Sequence, residues 1–269
     1  GWVDALGYQA QGVACDIRGR KDGRLDLALL VSSQPAALAG VFTRNRLAAA
    51  PVGLCQKVLG SRIPVKGVVV NSGNANACTG ARGMQDAEQM QALAAEVAGC
   101  QAGEMLVCST GRIGQPLPMD RLAIGLESLR GSLAATRDAG WQAADAILTS
   151  DSRRKVCSVE VETSRGICRV AGMAKGAGMI QPDMATMLAF LCTDARIKPE
   201  PLQASLASSV QSTFNAITVD GDCSTNDTVL LLANGASGVS LDPGGPAWAD
   251  FEHALFQVCA DLADKIVGD

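Results

Sequence analysis

The segment KGAGMIQPDMATMLAF, residues 175–190, sets a lysine, two glycines and a proline ahead of Thr186, which opens an apolar run. A β-branched residue starting a strand needs no chemical explanation. The chemical reading makes the Thr186 hydroxyl a nucleophile, and a nucleophile needs a base. The chain has one histidine, His253, within the amphipathic stretch FEHALFQVCADLADKIV, so imidazole triads and histidine-based zinc sites are poor candidates. A threonine can instead use its own α-amine as base once the preceding bond is cut. That amine titrates at about 7.7–8.0, suited to proton transfer at neutral pH. The route requires Thr186 to attack the Ala185 carbonyl, giving an ester that water hydrolyses. The surrounding Gly and Pro residues fit an exposed, strained turn for that event.

Two other stretches carry chemistry or only structure. In STGRIG (109–114), Thr110 and Gly111 end an apolar strand. They are either a strand-to-helix connection or an anion hole, with a hydroxyl and an N–H aimed at one point. NSGNANACTG (71–80) is either a loop built from residues that favour left-handed backbone, or a row of amides lining a pocket. KGAGM (175–179) is not a phosphate loop, because its lysine comes first and no Gly-Lys-Ser/Thr follows.

The elements that must position these residues follow from hydrophobic period. Strands are expected at 24–32 and, after a Pro-containing turn, at 36–43, then at 65–73, 104–111, 186–195 and 228–235. The segments 155–163 and 166–176 flank Ser164-Arg165 as a hairpin. Helices are expected at 84–99, capped by Gly99, at about 119–133 and 137–148, at 199–217 after Pro199, and at 246–267. Strands and helices come partly in blocks, which favours a layered α/β or α+β fold over a doubly wound sheet.

With 269 residues and 48% hydrophobic content, a full core forms without metal or disulfide support. The 23 basic residues are scattered and the net charge is −4, so no nucleic-acid partner is expected. No apolar run is long enough to cross a membrane. The ten cysteines form no CxxC pair, and the expectation is reduced, buried thiols in a cytoplasmic protein. A first residue other than Met and an end just after an apparent helix read as a fragment.

DLALLVSSQPAALAGVFTRN, AAPV, VVVNSGNANACTG, STGRIGQPLPM, KGAGMIQPDMATMLAFLCTDA and TVDGDCSTNDTVLLLANG occur here in order. Together they resemble the ornithine acetyltransferase family, the bifunctional glutamate N-acetyltransferases of arginine biosynthesis. The resemblance implies a layered α/β sandwich like that of N-terminal-nucleophile hydrolases. It implies self-cleavage between Ala185 and Thr186, giving an α chain (1–185) and the first part of a β chain (186–269). Thr186 then carries acetyl from N-acetylornithine to glutamate, with Thr110 and Gly111 as oxyanion hole and Thr149, Lys175 and Thr186 contacting substrate. No cofactor is implied; acetyl-CoA is open as a second acetyl donor. Two α and two β chains usually assemble. Arg112 departs from the family's aliphatic residue and brings a charge beside the hole. The sequence also stops before the family's Gly-Glu-Gly segment and C-terminal substrate-binding residues, so the β part is incomplete. An amidase or aminopeptidase of the same architecture, and an inactive fragment with a binding role, are the alternatives.

Overall fold

The computed structural model describes residues 1–178, 187–218 and 224–269. Eight strands form one sheet: β1 (Tyr8–Val13), β2 (Leu27–Phe42), β3 (Val65–Asn74), β4 (Met105–Arg112), β5 (Lys155–Thr163), β6 (Gly166–Lys175), β7 (Leu188–Thr193) and β8 (Thr228–Ala233). Their order is β4-β3-β2-β8-β7-β6-β5, with β1 also paired to β2.

Strand β2 organises this sheet. The sequence suggests two strands separated by a turn at Pro35. The structure instead runs one strand of 16 residues through it. A register irregularity between Val31 and Ala36 absorbs the proline, since a residue without an N–H is tolerated where ladder pairing is interrupted. Before the irregularity β2 pairs with β1 and β3; after a last β3 pair at Ala36–Val65, it pairs with β8 from Ala37 on. The sheet thereby becomes two halves.

Side-chain alternation shows how the halves stack. Ala28, Leu30, Val68, Val70 and Leu106 from one half share a core with Leu188, Phe190, Leu230 and Leu232 from the other. The opposite face of the first half, through Leu29, Val69 and Met105, packs on α2 (Gly80–Ala98) and α3 (Met119–Ser128). The opposite face of the second half, through Val170, Leu191 and Leu231, packs on α5 (Pro199–Ser212) and α6 (Trp248–Val267). The result is a four-layer αββα sandwich. The expected sandwich and hairpin both hold, the hairpin with Thr163 opposite Gly166.

Two elements escaped sequence reading. Helix α1 (Ala50–Ser61) contributes Cys55 and Val58 to the inner core. Its Gly53 and Gly60 blur the helical period, although a proline in its first turn was a legible signal. Strand β1 is the other; its burial alternates with period 2, but two of its three buried positions are the small Ala10 and Gly12, so the hydrophobic pattern is faint. Helix α4 (Arg137–Ala146) adds Ala143 and Ala144 to the inner core.

His253 lies exposed on α6. None of the described cysteines is in a disulfide. Cys55, Cys108, Cys168, Cys192 and Cys259 are buried as expected, while Cys15, Cys100 and Cys157 are half-buried and Cys78 is exposed in a left-handed loop position. No helix of the described residues is long and apolar enough to cross a membrane.

Candidate active site

Thr110 and Gly111 stand at the end of β4, where the parallel ladder with β3 matches Ser72 to Thr110 and Gly73 to Gly111. Gly111 has φ +135°, and a Cβ there would lie 2.3 Å from the Gly73 carbonyl carbon and 2.5 Å from the Asn74 nitrogen. Only glycine fits this close approach of two backbones. Next to it the Asn-rich loop proves structural. Asn71 accepts from Ser109 Oγ at 2.6 Å and donates to the Asn74 carbonyl at 2.8 Å. Asn74 accepts from the Asn76 amide, and Asn76 donates to the Gly83 carbonyl. These amides are spent on backbone, and from the loop only Ala75 lines the adjoining cavity.

That cavity, about 360 Å³, is lined by Ala75, Thr110, Gly111, Thr149, Lys175 and Asn226 among others. Lys175 ends β6 and is buried. Its Nζ donates to Thr149 Oγ1 at 2.6 Å and to Thr110 Oγ1 at 3.3 Å. Four residues singled out from separate stretches of sequence, Thr110, Gly111, Thr149 and Lys175, therefore meet at one cavity. Because both hydroxyl oxygens accept from Lys175, their own protons are free to donate elsewhere. Arg112 is exposed at the rim of this region. A larger groove of about 630 Å³ lies between α1 and α5. It is mostly apolar, and among the described residues lining it the ionised groups are the exposed Arg62 and Glu200, 3.6 Å apart. The smaller cavity is the one equipped for chemistry.

Ala185 and Thr186 lie outside the described residues. The chain on either side is tied to the cavity, because Lys175 is the β-ladder partner of Leu188. The Met187 amide donates to Asp227 Oδ1 at 3.0 Å. Asp227 is buried, and its Oδ2 has no hydrogen-bond partner among the described residues. Burial pushes its carboxyl up to about 8, more than the Met187 amide, Ser224 and the Lys175 charge lower it.

Beneath Lys175 lies a network that sequence reading missed. Asp151 Oδ1 accepts from the Lys155 ammonium at 2.8 Å and the Gly176 amide at 2.6 Å. Its Oδ2 accepts from the Thr149 amide at 3.0 Å and lies 3.9 Å from Lys175 Nζ. Burial alone would raise the Asp151 carboxyl; the Lys175 charge, the Lys155 hydrogen bond and the two amides hold it at about 2 instead. Burial lowers Lys175, partly countered by Asp151. Lys155, fully buried, also contacts Asp269 Oδ2 at 2.5 Å. The available signal was the spacing of Asp151 and Lys155, with the lysine leading into an apolar strand where a lone charge is costly. Asn226 was missed too; its amide donates to the carbonyls of Ala75 (2.7 Å) and Ser109 (2.9 Å), tying β8 to the cavity wall.

The layers define the class: an αββα sandwich of the N-terminal-nucleophile hydrolase type. The Ochrobactrum anthropi L-aminopeptidase D-Ala-esterase/amidase, a variant of that fold, matches with TM-score 0.57 at 9% identity, covering 98% of this chain and 84% of that one. Within this class the sequence is specific. The chain belongs to the ArgJ family, whose profile matches residues 9–269. The arginine biosynthesis bifunctional protein ArgJ of Geobacter sulfurreducens is 48% identical over 270 residues, covering 99% of this chain and 67% of that protein. Its counterpart in Symbiobacterium thermophilum is 45% identical, covering 98% and 65%. The chain spans about two thirds of the length of these relatives. The Mycobacterium tuberculosis ornithine acetyltransferase, solved in complex with ornithine, matches with TM-score 0.62 at 38% identity over 68% of this chain and 94% of that one.

Proposed function

We propose that this chain forms the larger part of a glutamate N-acetyltransferase that works through an acetyl ester on Thr186, freed by self-cleavage of the Ala185–Thr186 bond into segments 1–185 and 186–269. The observation that carries this reading is the meeting of Thr110, Thr149 and Lys175 at a cavity where the ladder partner of Lys175 is Leu188, two residues after Thr186. The Lys175 ammonium holds a substrate carboxylate, with Thr149 beside it. The Thr186 hydroxyl attacks the acetyl carbonyl of N-acetylornithine, and its α-amine takes the proton. The tetrahedral oxyanion accepts hydrogen bonds from the Thr110 hydroxyl and the Gly111 N–H. Collapse breaks the C–N bond, and ornithine leaves with the proton. Glutamate then attacks the ester, regenerating Thr186 and giving N-acetylglutamate. The two half-reactions pass through similar oxyanions, so one hole serves both. No cofactor enters this cycle; acetyl-CoA would serve only as an alternative acetyl donor. We place the protein in the cytoplasm, in keeping with the unpaired thiols of the described residues, and expect two copies of each cleaved chain to assemble.

Intact mass measurement with N-terminal sequencing tests the cleavage. The parent should yield a polypeptide starting at Thr186, and Thr186→Ala a single uncut chain. Equal cutting in both, or none in the parent, rejects the reading. Following label from acetyl-labelled N-acetylornithine separates transfer from hydrolysis: label in N-acetylglutamate supports a transferase, free acetate alone an amidase.

A further inference from the structure

Lys175 and Lys155 are both buried and share one carboxylate, yet they do so unequally. Lys155 Nζ hydrogen-bonds Asp151 Oδ1 at 2.8 Å, while Lys175 Nζ stands 3.9 Å from Oδ2, beyond hydrogen-bond reach. Lys155 draws Asp151 away from Lys175, and the carboxylate also accepts from the amides of Gly176 (2.6 Å) and Thr149 (3.0 Å). An ammonium has three donors. Two of those on Lys175 go to Thr149 and Thr110, and the third meets no hydrogen-bond acceptor among the described residues. A desolvated ammonium next to a carboxylate would normally close on it and be neutralised. Here the counter-charge is close enough to act through space and too far to occupy the donor.

We propose that Asp151 and Lys155 are positioning residues for Lys175: Asp151 supplies counter-charge from beyond hydrogen-bond distance, and Lys155 anchors it there, leaving Lys175 one donor for a ligand carboxylate. This rests on the reading of Lys175 as the carboxylate anchor. Among the described residues, the charges acting on Lys175 come from Asp151 in the loop after α4, Lys155 on β5, Asp227 just before β8, and Arg18 in the loop between β1 and β2. Asp227 is pushed up to about 8, so well below that pH it is protonated, and among the described residues Asp151 is the carboxylate that supplies the negative charge. Without it, a buried lysine titrates as low as about 5–6.

The test is calorimetric binding of N-acetyl-L-ornithine to the protein and four variants between about pH 5.5 and 7.5, where loss of one proton changes affinity by at most about tenfold per pH unit. The parent should bind with little pH dependence. Asp151→Asn should bind progressively more weakly as pH rises, because Lys175 loses its proton. Lys155→Met should weaken binding about tenfold at every pH, as Asp151 closes on Lys175 and takes one charge-assisted hydrogen bond from the ligand. Lys155→Arg should restore it. Lys175→Met separates the two levels: unchanged binding there rejects Lys175 as anchor. Weak binding there with a flat pH profile in Asp151→Asn overturns the present proposal. Should Asp151→Asn fail to fold, unchanged affinity in Lys155→Met overturns it, and a tenfold loss rescued by arginine supports it.

Discussion

Gly111→Ala puts the oxyanion assignment and the packing of β3 on β4 under one test. The added methyl would lie 2.3 Å from the Gly73 carbonyl carbon, 2.5 Å from the Asn74 nitrogen and 2.7 Å from the Gly73 Cα. Comfortable carbon contacts are about 3.5–4.0 Å, so the strands must part by roughly 1 Å. They are not free to do so, since the parallel ladder runs from Gly67 opposite Met105 to the site. Overpacking of this kind costs about 1–3 kcal/mol. Holding alanine at φ +135° adds about 1–3 kcal/mol of strain. A loss of about 2–6 kcal/mol follows, a large share of a typical 5–15. Urea unfolding followed by circular dichroism should show a lower midpoint with unchanged slope. Gly60→Ala is the matched control: it lies in α1 with no atom within 4 Å of the new Cβ, and should be neutral or stabilising by up to about 1 kcal/mol. Folded Gly111→Ala should also turn over about 100-fold more slowly, the usual cost of a 1 Å misplacement at a reacting centre. A destabilisation below about 1 kcal/mol would refute the close-approach argument.

The remaining predictions concern single groups. Thr110→Ala should slow acetyl transfer by about 100-fold or more with substrate affinity little changed; a change within about threefold leaves Thr110 as a strand-end residue only. Asp227 binds a proton in the fold that the unfolded chain releases near its ordinary 3.8, so its contribution to stability falls as pH rises from about 4 to 8. Asp227→Asn should therefore gain on the parent across that window in thermal melts, and a constant difference would reject the raised carboxyl. Asp151 is shifted the other way, to about 2, so its contribution is present above about 4 and fades toward pH 2; Asp151→Asn should lose its penalty in acid melts.

The parts of this architecture written in local pattern were legible. Strands β5 and β6 and their hairpin follow from alternation and a two-residue turn, and the helix ends at Gly99 and Pro199 follow from capping. The misreadings have physical causes. Pro35 looks like a break because local sequence does not show that β2 changes partners there and needs no N–H at that point. Lys155 carried one local signal, Asp151 four residues earlier, but its second anion, Asp269, stands 114 residues away and no local pattern shows it. Thr110, Thr149 and Lys175 could each be flagged in sequence, but their convergence rests on long-range strand order.

That strand order also explains where the cavity lies. β4 and β6 are in different half-sheets, and their ends carry the Thr110 hydroxyl and the Lys175 ammonium to within 3.3 Å. Neither half-sheet alone supplies both groups. Strand β2, by joining the halves, lets the Thr110 hydroxyl and the Lys175 ammonium line one cavity. β7 and β8, both following residue 186, sit between β2 and β6 in the same sheet. The backbone after Thr186 is therefore held by ladder pairing on both sides of β7, to β6 and to β8. Breaking the 185–186 bond would remove one covalent link and none of those pairings. A fold so arranged can free an α-amine at residue 186 without releasing the strand that follows it.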